Sequence, residues 1–134
     1  METLQITAYI AAAFAVIMFG LTLNVSMYRV KLGAAQGDMA KYPFQDGGDE
    51  RLKHRIRAFG NFIEYTPFCI IMLGLLELNN APATMVWGLG IAFLLGRLSH
   101  AFGMLSNPYN PIMRILGMFT TYAILLVPAI WIFL

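Results

Sequence analysis

The sequence predicts an all-α integral membrane protein, a bundle of four transmembrane helices formed by a single domain, residues 1–134. Hydrophobic residues make up 59% of the chain and charged residues only 12%, against roughly 25% charged residues in a typical soluble domain. Four long apolar stretches follow one another along the chain, and short segments rich in asparagine and proline separate the last three. Together these features favour a helical bundle whose solvent is the bilayer.

The predicted spans are, in order, about Thr3 to Tyr28, Ala58 to Leu78, Ala83 to Leu105 and Ile112 to Leu134. Each reaches the roughly 20 residues that a helix rising about 1.5 Å per residue needs to cross a bilayer core of about 30 Å. The first stretch follows Glu2 rather than a basic segment and is longer than the apolar part of a signal peptide. We therefore expect it to be a retained span.

The segment between the first two spans, residues 29–57, is the one sizeable soluble part of the predicted fold. Gly33, Gly37, Pro43 and the pair Gly47-Gly48 favour irregular structure there. By the positive-inside rule this loop is cytoplasmic, because it holds seven of the nine lysines and arginines: Arg29, Lys31, Lys41, Arg51, Lys53, Arg55 and Arg57. Both termini and the turn at residues 79–82 are then expected outside, and the turn at residues 106–111 inside.

Polar side chains form two stripes in the second and third spans. Arg57, Asn61 and Glu64 are spaced i, i+4, i+7, and this spacing places them on one face of a helix. Arg97, His100 and Met104 follow at i, i+3, i+7 in the third span. The second span begins and the third ends at the cytoplasmic face, and with about 1.5 Å of rise per residue Glu64 and Arg97 each lie about 10 Å from it. The two stripes are therefore expected at matching depth.

The charges in this part of the bundle are unbalanced. One acid, Glu64, accompanies four arginines: Arg29, Arg57, Arg97 and Arg114. Charged groups in hydrocarbon are costly and rarely persist without a partner or a function, so the surplus cations predict an anionic ligand. An alternative is purely structural: Glu64 neutralises Arg57 or Arg97, and Asn61 cross-links helices with a bond worth roughly 0.6 to 2 kcal/mol.

Other kinds of site find little support in the residues. The two histidines, His54 and His100, have no thiolate or carboxylate at ligand spacing, so we expect no metal site. Cys69 lies well inside an apolar stretch and is expected to be an inert buried thiol. The chain has no glycine-rich phosphate loop and no nucleophile elbow, and we expect no nucleic-acid partner.

The polar motifs resemble those of a known family. The run R57-A-F-G-N61-F-I-E64-Y-T-P67 resembles the second helix of the MAPEG family, the membrane-associated proteins in eicosanoid and glutathione metabolism. The segment R97-L-S-H100 and the NPIMR segment ending at Arg114 are similar to that family's third and fourth helices. The likeness covers nearly the whole chain and points to a bacterial-type member resembling microsomal glutathione transferase.

This resemblance implies a homotrimer in the bacterial inner membrane, with glutathione as co-substrate at each subunit interface near the cytoplasmic side. Carried over by position, the glutathione-binding residues are Arg29, Arg57, Asn61, Glu64, Arg97 and His100, with Glu64 taking the amino group and arginines the carboxylates. Arg114 corresponds to the arginine that stabilises the glutathione thiolate and is the expected catalytic residue. The second partner would be a lipophilic electrophile or lipid arriving from the membrane.

The sequence also departs from the family pattern. Phe59 and Gly60 stand where many members have a histidine and an arginine, and Met104 stands where several have a tyrosine. These changes would remove glutathione contacts that the family pattern implies. The leading hypothesis is a membrane glutathione transferase, with or without peroxidase activity, and the alternative within the same fold is a non-enzymatic lipid-binding scaffold. A small cation transporter is disfavoured, because such proteins place their essential acid in the first helix, which here has no charged residue.

Overall fold

The computed structural model describes residues 4–39, 41–42 and 46–134. They form four helices: α1 (Gln5–Gln36), α2 (Glu50–Leu78), α3 (Ala83–Leu105) and α4 (Pro111–Phe133). All four are long and apolar enough to cross a membrane, and the predicted all-α, four-helix class is confirmed. The predicted bounds of α3 match the structure, and α4 begins and ends one residue earlier than predicted.

The expectation of irregular structure throughout residues 29–57 is wrong, since α1 continues to Gln36 and α2 begins at Glu50. The early start of α2 has a local cause and a long-range one. Asp49 caps α2 by accepting a hydrogen bond from the backbone N–H of Leu52 at 2.7 Å. Leu52 is then buried with Val25 and Tyr42 in a small apolar cluster that holds the extension of α2 against α1. The predicted span start at Thr3, and Pro43 of the expected loop, lie outside the described residues.

The other helix ends also follow from the sequence. Gly37 ends α1 in the left-handed conformation, with φ of 68°, where glycine carries no steric penalty. Asn110 caps α4 through the N–H of Met113 at 3.2 Å. Pro111 occupies the first helical position, where its missing N–H costs nothing.

Contacts between distant residues fix the direction of each helix. Glu77, near the end of α2, accepts hydrogen bonds from the backbone N–H groups of Ile6 (2.9 Å) and Thr7 (2.8 Å) and from the Thr7 hydroxyl (2.6 Å). The Trp131 indole N–H, near the end of α4, lies 3.4 Å from the Asn79 carbonyl oxygen. The start of α1, the α2–α3 turn and the end of α4 therefore share one end of the bundle, which we call the turn end.

The opposite end, which we call the loop end, carries the connection between α1 and α2 together with the α3–α4 turn. There Arg55 of α2 donates to the Asn24 side chain of α1. His54 lies against Tyr109 of the α3–α4 turn, with ring centroids 5.6 Å apart. The bundle is thus up-down-up-down, with the polar ends of both stripes at the loop end.

Helix packing depends on an aromatic core and on glycines. Phe14 of α1 packs between Phe62 and Phe93, with ring centroids 5.9 and 4.9 Å away. At the α3–α4 contact a Cβ on Gly117 would lie 2.3 Å from the Gly96 carbonyl oxygen, so the two backbones meet directly. Helices α2 and α3 pack against each other, and each also packs against α1 and α4. Within the described chain, α1 and α4 do not contact one another.

Candidate functional site

The polar stripe of α2 faces outward from the subunit. Arg57 and Glu64 are exposed and Asn61 is half-buried. The same face continues toward the turn end with Phe68 and Ile71, each more than half exposed. This surface is polar near the loop end and apolar beyond it, and Glu64 presents a carboxylate at a depth where an unpartnered charge is costly.

Asn61 links this stripe to the inside of the bundle. Its carboxamide oxygen accepts a hydrogen bond from Arg97 Nη2 at 2.8 Å, which joins α2 to α3. The Arg97 guanidinium is 2% exposed and lies 5.7 Å from the centroid of the Phe62 ring. The bond agrees with the matching depth predicted for the two stripes, and it leaves Arg97 as a buried cation beside a narrow opening.

His100 lies one turn further along α3 and is 1% exposed. A Cβ on Gly117 would lie 2.6 Å from His100 Cβ, so the histidine is seated against the backbone of α4. Neither ring nitrogen has a hydrogen-bond partner among the side chains and backbone that the structure describes. Two unsatisfied ring nitrogens are unusual for a buried imidazole, because buried polar atoms nearly always find partners.

Arg114 lies in the first turn of α4 and is half-buried. Its Nη1 donates to the Tyr109 hydroxyl at 3.3 Å, which directs the guanidinium toward the α3–α4 turn. Arg29 of α1 is also half-buried and borders a cavity of about 150 Å³ between α1 and α2, together with Ser26 and Phe59.

The structure brings together some of the predicted residues within one subunit and leaves others apart. Asn61 and Arg97 touch, and His100 lies beside them on α3. Glu64 forms no ion pair with Arg57 or Arg97 in the part of the chain that is described. Arg29 and Arg114 stand on the two helices that do not contact each other. The full predicted set therefore does not surround one cavity of a single subunit.

Two tyrosines near Arg97 escaped the sequence reasoning. Tyr65 and Tyr122 line a cavity of about 30 Å³ together with Asn61, Arg97 and Thr121. Tyr65 stands at i+4 from Asn61, so its stripe was visible in the sequence. Tyr122 is brought near Arg97 because α3 and α4 are antiparallel neighbours, with Gly96 facing Thr120. Pairing the two helices across their turn would have indicated this position.

An apolar cleft lies on the outer surface between α1 and α2. Its volume is about 220 Å³, and its lining is almost entirely apolar: Ala11, Phe14, Met18, Phe62, Ile63 and Pro67 contribute to it. Phe62 and Ile63, which directly follow Asn61 on α2, form part of its lining. A hydrophobic molecule in the membrane could reach the polar stripe along this surface.

Comparison with known proteins identifies the family. The family model described as MAPEG family matches residues 7–134. Two curated relatives, both named Inner membrane protein YecN, come from Escherichia coli strain K12 and Escherichia coli O6:H1. Each is 32% identical over 99 residues, covering 74% of this chain and 70% of the relative. No solved structure matches the chain. On the match across nearly its whole length, the chain belongs to the MAPEG family.

Proposed function

We propose that this protein is a glutathione transferase of the inner membrane, which conjugates the glutathione thiolate to lipophilic electrophiles. The observation that carries the proposal is the outward face of α2, where an exposed Glu64 adjoins Asn61 and the buried cation of Arg97. Family membership and the inner-membrane name of the relatives support it.

The binding site would lie between subunits of a homotrimer. A lone carboxylate on the lipid-facing side of a span is costly, so the exposed position of Glu64 favours a neighbouring subunit or a polar ligand over lipid. The separation of α1 from α4 supports the same assembly, because α1 of one copy meeting α4 of another would bring Arg29 and Arg114 together. In this arrangement Glu64 accepts from the ammonium group of glutathione, and Arg29, Arg57 and Arg97 hold its carboxylates.

Arg114 is the proposed catalytic residue. A thiol with a pKa near 8.5 is mostly protonated at pH 7, and an adjacent fixed cation lowers that pKa by roughly 1 to 3 units. Arg114 would raise the thiolate fraction, and the thiol proton would pass to solvent. The thiolate sulfur then attacks the electrophilic carbon, a C–S bond forms, and the leaving group departs with its bonding electron pair. The Tyr109 hydroxyl positions the Arg114 guanidinium for this role.

The test is a conjugation assay with purified full-length protein in mild detergent, glutathione and 1-chloro-2,4-dinitrobenzene, following the thioether by absorbance. We expect turnover that falls at least about tenfold at pH 7 in Arg114→Ala. The deficit should shrink as the pH rises above about 8.5, where the free thiol ionises unaided. Lys31→Ala, which removes an exposed cation of α1, is the matched control. Absence of glutathione-dependent turnover, or an Arg114→Ala enzyme equal to the wild type, would refute the mechanism.

A lipid-binding scaffold is the second candidate, and the apolar cleft between α1 and α2 favours it. The open surroundings of Gly60, where an added Cβ would meet no atom within 4 Å, also fit a weakened glutathione site. This alternative predicts saturable binding of a lipid to the purified protein without any glutathione turnover. Filling the cleft with Ala15→Trp should then abolish lipid binding, whereas the transferase would retain glutathione binding.

A further inference from the structure

A second polar cavity lies at the loop end, beside the proposed glutathione site, since Tyr109 lines it and accepts a hydrogen bond from Arg114. It has a volume of about 340 Å³, within the range of about 300 to 1,000 Å³ typical of small-molecule sites. One wall is the first two turns of α2, which the sequence placed in an irregular loop, and the other is the end of α3 with the turn that follows.

The lining of this cavity carries two arginines. Arg51 and Arg55 face it from α2, with the imidazole of His54 between them in sequence. The one acid in the lining, Glu50, is engaged by Lys53, with the Lys53 Nζ 3.2 Å from Glu50 Oε1. Because Glu50 pairs with Lys53, it does not neutralise Arg51 or Arg55, and these arginines can bind an anion.

Two of these groups are held in place before any ligand arrives. Arg55 donates to the Asn24 side chain, and its guanidinium carbon stacks 4.3 Å from the centroid of the Tyr28 ring. His54 rests against Tyr109, whose hydroxyl is bonded to Arg114. Rigid donors lose little entropy on binding, which favours affinity.

The far wall adds both hydrogen-bonding and apolar groups. Ser106 and Asn107 of the α3–α4 turn line the polar part, and Met104 and Leu105 line the part that continues toward the bundle. A planar guanidinium matches phosphate oxygens in bidentate geometry, and basic pockets between membrane helices suit anionic head groups. A phosphate esterified to a small apolar or glycerol-like group would contact both parts of the wall.

We infer that this cavity binds a phosphate ester, the phosphate oxygens lying between Arg51, His54 and Arg55 and the esterified group against Met104 and Leu105. The inference does not depend on glutathione binding. The same chemistry is offered by an anionic phospholipid head group and by a soluble phosphate compound, and the experiment distinguishes the two.

The experiment is isothermal titration of the full-length protein in mild detergent with dihexanoylphosphatidylglycerol and, separately, with inorganic phosphate at fixed ionic strength. The variants are Arg51→Gln and His54→Gln, with Lys31→Gln as the control that removes an equal charge outside the cavity. Arg51 is exposed and makes no ion pair or side-chain hydrogen bond within the part of the chain that is described, so matching circular dichroism spectra should accompany any change in affinity.

We expect one saturable site per chain, weakened about tenfold or more by Arg51→Gln and by His54→Gln and unchanged by Lys31→Gln. Tighter binding of the phosphatidylglycerol identifies the ligand as a lipid head group, and equal binding of inorganic phosphate identifies it as a soluble phosphate. Absence of saturable binding of either probe overturns the inference. An equal loss of affinity in Lys31→Gln does so too, because it would reduce the effect to net charge.

Discussion

Asn61 and Arg97 are joined by a 2.8 Å hydrogen bond between α2 and α3, which gives a buried guanidinium its one hydrogen-bonded side-chain partner among the described residues. We expect Asn61→Ala to lower the free energy of unfolding by about 1 to 2 kcal/mol, because the cation keeps its burial and loses its acceptor. Titration from mild detergent into sodium dodecyl sulfate, followed by circular dichroism without glutathione, measures the change. Asn107→Ala, in the exposed α3–α4 turn, should leave the transition in place; equal transitions in the two variants would contradict the assignment.

Glu64 and Glu77 have opposite expected effects although both lie on α2. Glu64→Gln changes an exposed side chain without an ion pair to the nearby arginines, so we expect unchanged stability and at least about tenfold weaker glutathione binding, as for a lost charge-assisted hydrogen bond. Glu77→Gln leaves α1 with a neutral cap and should cost about 1 kcal/mol or more of stability without affecting glutathione binding. Unfolding and equilibrium binding of glutathione, measured on both variants, test the contrast. The reverse pattern would show that Glu64 is structural.

Gly117 and Gly96 should not tolerate a side chain. A Cβ at Gly117 would lie 2.3 Å from the Gly96 carbonyl oxygen, and one at Gly96 would lie 1.9 Å from Thr120 Oγ1. We expect Gly117→Ala to destabilise the fold by about 1 to 3 kcal/mol, because α4 must move away from α3. Gly88→Ala is the matched control on α3, where an added Cβ meets nothing within 4 Å. The same unfolding titration compares the two, and a stable Gly117→Ala would mean that the helices have room to separate.

Cys69 is fully buried, with no exposed surface in the subunit. We expect it to resist a water-soluble maleimide in the folded protein and to react completely after denaturation in sodium dodecyl sulfate. Mass spectrometry of the intact chain gives the labelled fraction directly. Rapid labelling of the folded protein would show that the α2–α3 packing opens readily.

The orientation predicted from the loop charges can be tested with the same reagent on spheroplasts. Lys31→Cys places an exposed thiol at the loop end and Ala83→Cys places one at the turn end. With the loop in the cytoplasm, Ala83→Cys labels in intact spheroplasts and Lys31→Cys only after lysis. The opposite pattern would put the proposed glutathione site on the outer side.

The sequence was sufficient to predict the helices that are set by local signals. Runs of apolar residues located α3 and α4 to within one residue, because the length of a span and the prolines in the turns are both visible in the local sequence. The start of α2 was missed because it depends on burial of Leu52 against α1, a contact between segments far apart in the chain. The glycines of the loop predicted irregular structure up to residue 57, but the Asp49 cap starts α2 directly after Asp49.

The candidate site was predicted only in part, for a reason specific to membranes. Spacing grouped Arg57, Asn61 and Glu64 on one face, and rise per residue placed Glu64 and Arg97 at matching depth. In the structure the partner of Arg97 is Asn61, one helical turn from Glu64. The sequence could not show whether that face points inward or outward. In a membrane helix apolar residues face both the lipid and the protein interior, so hydrophobic periodicity does not distinguish the two sides. The sequence therefore grouped these residues without showing which way they face, and the structure places Glu64 on the subunit's outer surface.

The bonds from Glu77 to Ile6 and Thr7 have a consequence for biosynthesis. They connect residues 70 and 71 positions apart, so the amino end of α1 acquires its acceptor only after the whole of α2 has left the ribosome. Until then its first N–H groups depend on water or lipid head groups, which holds that end at the membrane surface. Completion of α2 is thus the step at which the first helix becomes locked in register with the rest of the chain.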